Sequence, residues 1–456
     1  MSILNTKRKR DVRRQRGQFI AVAVTIGLGV MLFASTYDAY LNLDDSYNFT
    51  YDRLNFADMW VVGADPGFEE DAASISGVKT VETRFEADIP FRVGETGFIG
   101  RVVGYPPDGQ PDINQIDVTE GRYLDPNDDS KVVIESHMAD DLELGVGDTF
   151  EVLVGGDVQE VEVAGVAVSA EYIWPARNRQ DIFPLPGTFG VAFVSSNLFE
   201  DLPPELVSPD VVMTYEDDVD VVATDEAVRD AARAANASDV IPRADQASHS
   251  TLQLDVDSFQ ELAFMFPALF MLAAGLASFV LMTRLVISQR TQIGTMRASG
   301  MGRKMILRHY LSYGTRLGLI SGLIGLVIGM VLGAAITSFY TAALDIPDTV
   351  RGFHWVTPII GVLFGLAAGS LGAYAPARRA FKLSPAEAMR GDIPARTGRR
   401  SLFETIFPPL RGWPVRWRMV LRGIGRSKRR SFSTVLGVVL ALTLVMVSWG
   451  MIDTMQ

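Results

Sequence analysis

Two serine–histidine neighbours, Ser136-His137 and Ser248-His249, come closest to a nucleophile beside a base. Neither lies in a G-x-S-x-G nucleophile elbow, and adjacent residues on a strand or helix point apart, so neither pair is arranged for hydrolysis. The four histidines, His137, His249, His309 and His354, are scattered without metal-ligand spacing. The absence of cysteine removes disulfides and thiolate chemistry. Asp125, Asp128 and Asp129 crowd together, but no D-x-[DN]-x-[DN]-G calcium loop contains them, and they read as a turn. The charged residues are instead sorted along the chain, and that sorting is the chemistry to explain.

Five apolar segments are long enough to cross a bilayer, which takes about 20 residues. They are 17–36, 262–283, 317–339, 356–375 and 432–452, and none contains an acid. Between them the charge alternates. Residues 1–16 carry +6, residues 284–316 carry +7 and residues 376–430 carry +12, while residues 37–260 carry −34 and residues 340–355 carry −1. Positive loops stay inside. The expected layout has a basic cytoplasmic arm (1–16), an extracytoplasmic domain (37–261), a cytoplasmic loop (284–316), a short outer loop (340–355) and a basic cytoplasmic linker (376–431). The formal net charge of −12 is thus a difference between compartments, and it argues against a nucleic-acid partner. The fold class expected is a multi-pass α-helical membrane protein with a large mixed α/β extracytoplasmic domain between its first and second membrane helices. Glycines recur every four residues at Gly318 and Gly322, at Gly325, Gly329 and Gly333, and at Gly361, Gly365 and Gly369. Small residues let helices approach closely in lipid, within one bundle or across a dimer seam.

The outer domain should begin and end in helix. Tyr40, Tyr47 and Leu54 repeat at seven residues, flanked by Tyr37 and Tyr51, and Leu252, Val256, Phe259 and Ala263 repeat at helical spacing. Two stalk helices rising from the bilayer would account for this. Asp58 to Gly63 and Phe98 to Gly104 read as strands. Phe150, Val152 and Val154, then Gly155-Gly156, then Val161 and Val163 read as a hairpin. Thr224, Asp225 and Glu226 read as a helix start, with Ala227, Val228, Ala231 and Ala235 on one face. Asn48 and Asn236 begin N-x-[ST] sequons.

Two cytoplasmic stretches carry the most information. In SQRTQIGTMRASGMGRKMILRHY (288–310), Ile293, Met296, Met301 and Met305 are spaced for one apolar face, and Gly300 and Gly302 divide two short helices. That face suits either a basic interfacial helix on anionic membrane lipids or a knob seated in a partner's groove. In YAPARRAFKLSPAEAMRGD (374–392), Pro376 ends a helix, and Ser384-Pro385-Ala386-Glu387 is a capping signature.

These two stretches, in this topology, resemble the FtsX/MacB-type permeases of ABC transporters. SQRTQIGTMRASGMGRKMI is similar to that family's segment between its second and third membrane helices, and PARRAFKLSPAEAMRGD to its signature after the fourth. EGRYLDPNDDSKVVIESHMADDLELGVGDTFEV resembles the family's periplasmic core domain, where a G-R-[YF]-L segment precedes a G-D turn. The resemblance covers roughly residues 10–392. It implies a permease subunit under which a separate ABC-type ATPase sits, with the loop after the second membrane helix as a coupling helix. Gln292, Ile293, Arg297, Ala298, Met301, Gly302 and Arg303 would then touch the ATPase. It implies mechanotransmission, serving export or the handling of lipoproteins and other envelope substrates. ATP would be bound by the partner, since no G-x-x-x-x-G-K-[ST] loop is present here and no cofactor, catalytic or metal site is expected in this chain. Other partners implied are a second permease copy or second half, and an extracytoplasmic protein. A non-transporting regulator of cell-wall hydrolases fits the same features. A membrane sensor fits less well, because the chain returns to the membrane at Leu317. Residues 416–448 read like a restart of residues 3–35, with Phe19 on Phe432, Val22 on Val435 and Ser35 on Ser448. This predicts either the beginning of a second repeat or a five-helix protein.

Overall fold

The computed structural model describes residues 3–154, 156–180 and 185–384, with positions 439, 442 and 446 beyond them. The described helices are α1 (Ile3–Arg14), α2 (Arg16–Arg53), α3 (Phe68–Ala73), α4 (Ser136–Leu142), α5 (Val221–Ala234), α6 (Ala247–Ser288), α7 (Arg290–Ala298), α8 (Arg303–Ala343) and α9 (Val356–Lys382). The strands are β1 (Met59–Val62), β2 (Val78–Val93), β3 (Thr96–Tyr105), β4 (Ile116–Gly121), β5 (Lys131–Glu135), β6 (Thr149–Val154), β7 (Asp157–Ser169), β8 (Phe189–Ser195), β9 (Ser208–Tyr215) and β10 (Asp239–Pro242). The apolar segment 432–452 lies outside the described residues apart from Val439, Leu442 and Met446. So do residues 385–392, Gly155 and, with the same three exceptions, the region 416–448.

Two compact units divide the chain. One holds residues up to Asp38, Gln260–Ala334 and the described residues from Phe353 onward; the other holds Ala39–Phe259 and Ala335–Gly352. In the first unit, α2, α6, α8 and α9 each contain a window long and apolar enough to span a membrane. The glycine series are consumed inside this bundle. A Cβ on Gly318 would lie 2.2 Å from the Gly365 carbonyl oxygen, and one on Gly369 would lie 2.2 Å from that of Gly314. A Cβ on Gly325 would lie 2.2 Å from Gly27 O, and one on Gly329 2.6 Å from Met31 O. The backbones of α8 and α9, and of α8 and α2, therefore touch directly, as small-residue seams in lipid allow.

The second unit is built on one ten-stranded sheet, in the order β10-β1-β9-β2-β3-β8-β5-β7-β4, with β6 pairing β2 and β7. The hairpin expected at 150–163 forms. Val154 pairs with Asp157, leaving a two-residue connection in which Gly156 takes φ 101°. Phe150, Val152, Val154, Val161 and Val163 are all buried on one face. Helix α5 starts earlier than Thr224. Asp220 is its cap, accepting from the Ala223 N–H, and Thr224, Val228 and Ala232 are its buried residues. The tyrosine stripe of α2 has its reason here. Leu43, Tyr47, Tyr51 and Leu54 pack with Leu252 and Val256 of α6, around Trp60 and Ile173, with Tyr40 and Phe259 at the edge. The G-R-Y-L and G-D elements also resolve physically. Gly121 leaves no room for a Cβ, which would lie 2.3 Å from Ala164 O. Gly147 and Asp148 make the turn that exchanges backbone hydrogen bonds with Val163, at 2.8 and 2.9 Å.

Candidate coupling site

Helix α6 stops at Ser288, and Gln289 (φ −103°, ψ 13°) turns the chain into α7. The Gln289 side chain is 7% exposed. Its Oε1 accepts from Lys7 Nζ at 2.6 Å and from the Tyr310 hydroxyl at 2.8 Å. One amide thus ties α1 and α8 to the junction of α6 and α7. Lys7 also pairs with Asp11 at 2.6 Å, and the Tyr313 hydroxyl donates to the same carboxylate at 2.8 Å. Burial alone would raise the Asp11 carboxyl. Hydrogen bonds from Lys7, Gln289 and Tyr313 outweigh it and hold the group below its ordinary value.

Helix α7 ends in a Schellman motif. Gly300 N–H donates to Arg297 O at 3.1 Å and Met301 N–H to Met296 O at 3.0 Å, with Gly300 at φ 88°. A Cβ at Gly300 would meet nothing within 4 Å, so glycine is needed there for its backbone and not for space. Ile293 is fully buried, packed with Phe19, Val22, Leu285, Ile306, Tyr310 and Tyr313. Met296 and Met301 lie at the rim of that cluster.

The residues expected at the partner therefore separate into two groups. Gln292, Ala298, Gly302 and Arg303 are exposed, and Arg297 and Met301 are half-buried. Ile293 points the other way, into the chain's own core, and cannot touch a partner while that core is intact. The apolar face of α7 is an anchor, and the surface it leaves outward is uncharged and mostly short: Gln292, Thr295, Ala298 and Ser299. Met305, expected on the same apolar face, is 51% exposed. Sequence reasoning did not connect this surface with α1. The signal was a basic arm whose charges read only as topology, although Lys7 and Asp11 at i, i+4 already marked a helix.

The serine–histidine neighbours are local structure. Glu135 accepts from the Ser136 hydroxyl and from His137 N–H, at 2.9 and 2.8 Å, as the cap of α4. The Ser248 hydroxyl oxygen accepts from Trp174 N–H at 2.9 Å, and His249 Nδ1 lies 3.2 Å from the Tyr51 hydroxyl. Among the described residues no group of three or more His, Cys, Asp or Glu side chains is placed to hold a metal.

The second unit contains a buried ionic cluster that the sequence did not reveal. Arg84 and Glu171 pair through two hydrogen bonds of 2.6 Å, Arg84 also reaches Glu86 at 2.6 Å, and Trp60 Nε1 donates to Glu171 at 2.9 Å. Burial disfavours the Arg84 cation, yet Glu171 and Glu86 beside it keep it firmly charged. A cavity of about 500 Å3 borders this cluster. Asp210, 5% exposed, lies on its wall and accepts from the Ser208 hydroxyl at 2.7 Å. Burial, with the Glu86 carboxylate near it, pushes the Asp210 carboxyl up to about 7. An acid with a raised folded value binds its proton more tightly folded than unfolded. Its contribution to stability is therefore full near pH 4 and lost as pH rises through 7, by roughly 2–4 kcal/mol. Hydrogen exchange of β9 in the purified chain, corrected for intrinsic rates, should show protection falling from pH 5 to pH 8. In Asp210→Asn that fall should vanish; an equal fall in both proteins would remove Asp210 as its source.

The profile of the FtsX-like permease C-terminal family matches residues 264–385, and that of the MacB-like periplasmic core domain matches residues 19–235. Among solved structures, the chain is similar to the extracellular domain of the noncanonic ABC-type transporter YknZ from Gram-positive bacteria. That likeness has 19% identity and TM-score 0.27, covering 40% of this chain and 96% of the other. It is also similar to the periplasmic region of MacB from Actinobacillus actinomycetemcomitans, at 11% identity and TM-score 0.27, covering 45% and 95%. No curated protein matches the chain.

Proposed function

The chain belongs to the FtsX/MacB-type permeases of ABC transporters, its two family matches together spanning residues 19–235 and 264–385, and from that premise we propose that α7 and the turn after it seat a separate ATP-hydrolysing subunit. ATP is bound and hydrolysed by that subunit, and this chain converts its movements into movement of the extracytoplasmic unit. The work is done on an envelope or exported substrate outside the membrane. In this reading the N-terminus and residues 284–316 are cytoplasmic and residues 37–261 are outside, which the alternation of loop charge supports.

The observation that carries the reading is the two-sided character of α7. Its inner side is fixed by fully buried Ile293, and its C-terminus is locked by the Schellman turn. Its outer side presents Gln292, Thr295 and Ala298, exposed and uncharged, with Thr295 and Ala298 short enough to let the helix seat in a groove. A short helix held this firmly transmits a push without deforming.

The test is the double substitution Thr295→Trp with Ala298→Trp, on the exposed side only. Reconstituted with its ATPase, the variant should lose at least about tenfold of the permease-stimulated hydrolysis, while its melting temperature stays that of the parent chain. Unchanged stimulation would overturn the docking surface. Ile293→Asp cannot serve as this test, since it places a charge in the core that holds α7 up.

A further inference from the structure

We infer that the pocket between α1 and the first turns of α8 receives an acidic side chain of the ATP-hydrolysing partner, which makes the N-terminal arm a second docking element. The inference rests on the docking reading above and adds to it a site, a chemistry and a segment of this chain that the reading does not use.

The pocket has a volume of about 500 Å3, and Asn5, Arg8, Lys304, Arg308, His309 and Ser312 are among its walls. Among the described residues its cations are paired with no acid. Residues 284–316 contain no Asp or Glu, and the one acid of the arm, Asp11, is already engaged by Lys7 and Tyr313. Arg8 is 9% exposed, and its guanidinium donates to two neutral oxygens, Ser312 Oγ at 3.0 Å and Asn5 Oδ1 at 2.7 Å. These bonds aim the group without neutralising it. Taking a cation this far out of water is unfavourable unless an anion compensates. Lys304 and Arg308 stand four residues apart on α8, where like charges repel. An incoming carboxylate would relieve both strains and would be held by charge-assisted hydrogen bonds.

A lipid phosphate carries the same charge, but the distances favour protein. Lys304 lies thirteen residues and Arg308 nine residues before Leu317, where the apolar segment begins. Along a helix these are about 20 and 14 Å. The headgroup layer adds only about 5–8 Å beyond the hydrocarbon on each side. The two exposed cations thus stand past the layer of lipid phosphates, while Ser312 on the pocket wall, five residues before Leu317, lies about level with that layer. The pocket also abuts Gly302, which closes the connection between α7 and α8, so a partner seated on α7 overhangs it.

The experiment uses the full chain in nanodiscs with its ATP-hydrolysing subunit. Lys304→Glu with Arg308→Glu changes two exposed side chains and leaves buried Arg8 in place. Affinity for the subunit should fall more than about tenfold and its salt dependence should flatten. Lys304→Gln with Arg308→Gln should fall between. Parent-like affinity and salt dependence in the charge-reversed chain would overturn the inference while leaving the α7 reading intact, provided Thr295→Trp with Ala298→Trp still weakens binding. If neither pair of substitutions weakens it, the α7 reading fails as well. If the charge reversal leaves the subunit's affinity alone but removes a preference for phosphatidylglycerol over phosphatidylcholine vesicles, the pocket is a lipid site and the inference is overturned.

Discussion

Gly318→Leu is expected to dismantle the membrane unit. A Cβ there would lie 2.2 Å from the Gly365 carbonyl oxygen, 3.0 Å from its carbonyl carbon and 3.3 Å from Gly369 Cα. All three are backbone atoms of α9, so no rotamer change clears the space. The two helices must separate, and the neighbouring contacts of Gly314 with Gly369 must open with them. Overpacking a soluble core costs about 1–3 kcal/mol when side chains can yield. Here they cannot, and a loss above 3 kcal/mol with a fall in apparent melting temperature of roughly 10 °C is expected for the detergent-purified chain. Val327→Phe adds the same number of side-chain heavy atoms to α8 at a position that is 63% exposed, and should melt like the parent. Equal melting of the two variants would mean that α8 and α9 do not meet along this seam.

The second large effect is expected in the outer unit. Glu171 is 2% exposed and accepts from Arg84 twice and from Trp60 once. In Glu171→Ala the Arg84 cation stays buried with only Glu86 beside it, and the indole N–H loses its acceptor. Breaking one side of a buried pair costs about 3–5 kcal/mol, because the surviving charge is left without its counterion. Hydrogen exchange should show β1 and β2 opening together, since Trp60 lies on one and Arg84 on the other. Removing both charges in Arg84→Met with Glu171→Leu should recover much of the loss. If Glu171→Ala protects these strands as well as the parent does, the ion pair contributes nothing there.

The parts of this molecule that were legible in its sequence share one property: a strong, one-sided physical demand. Lipid requires about twenty apolar residues per crossing, so the segments at 17–36, 262–283, 317–339 and 356–375 stand out against any background. A pleated half-buried strand demands alternation, and residues 150–163 show it plainly. The misreadings arise where a pattern has two solutions. Ile293, Met296 and Met301 make a helix face whether the groove they fill belongs to another protein or to the same chain. Only the positions of Phe19, Ile306 and Tyr313 decide that: Phe19 is remote in sequence, and Ile306 and Tyr313 lie on the separate helix α8, whose packing no local spacing fixes. Helix α5 begins three residues before Thr224, because Asp220 offers an equally good cap one turn earlier than the Thr224-Asp225-Glu226 start. Val221 and Val222 stand in the first turn, 53% and 70% exposed, behind the cap of Asp220. The pairing of Arg84 with Glu171 spans 87 residues, and no local spacing announces it.

Gln289 has a mechanical consequence. The bend it occupies, between the forty-two residues of α6 and the nine of α7, is held from one side by Lys7 and from the other by Tyr310. A joint braced in this way is not a swivel. A sideways load on α7 acts on α6 as a torque about its own axis, because flexing the elbow would first have to break both bonds to the amide oxygen. Without the brace, the same load would be absorbed at the corner and α6 would stay still.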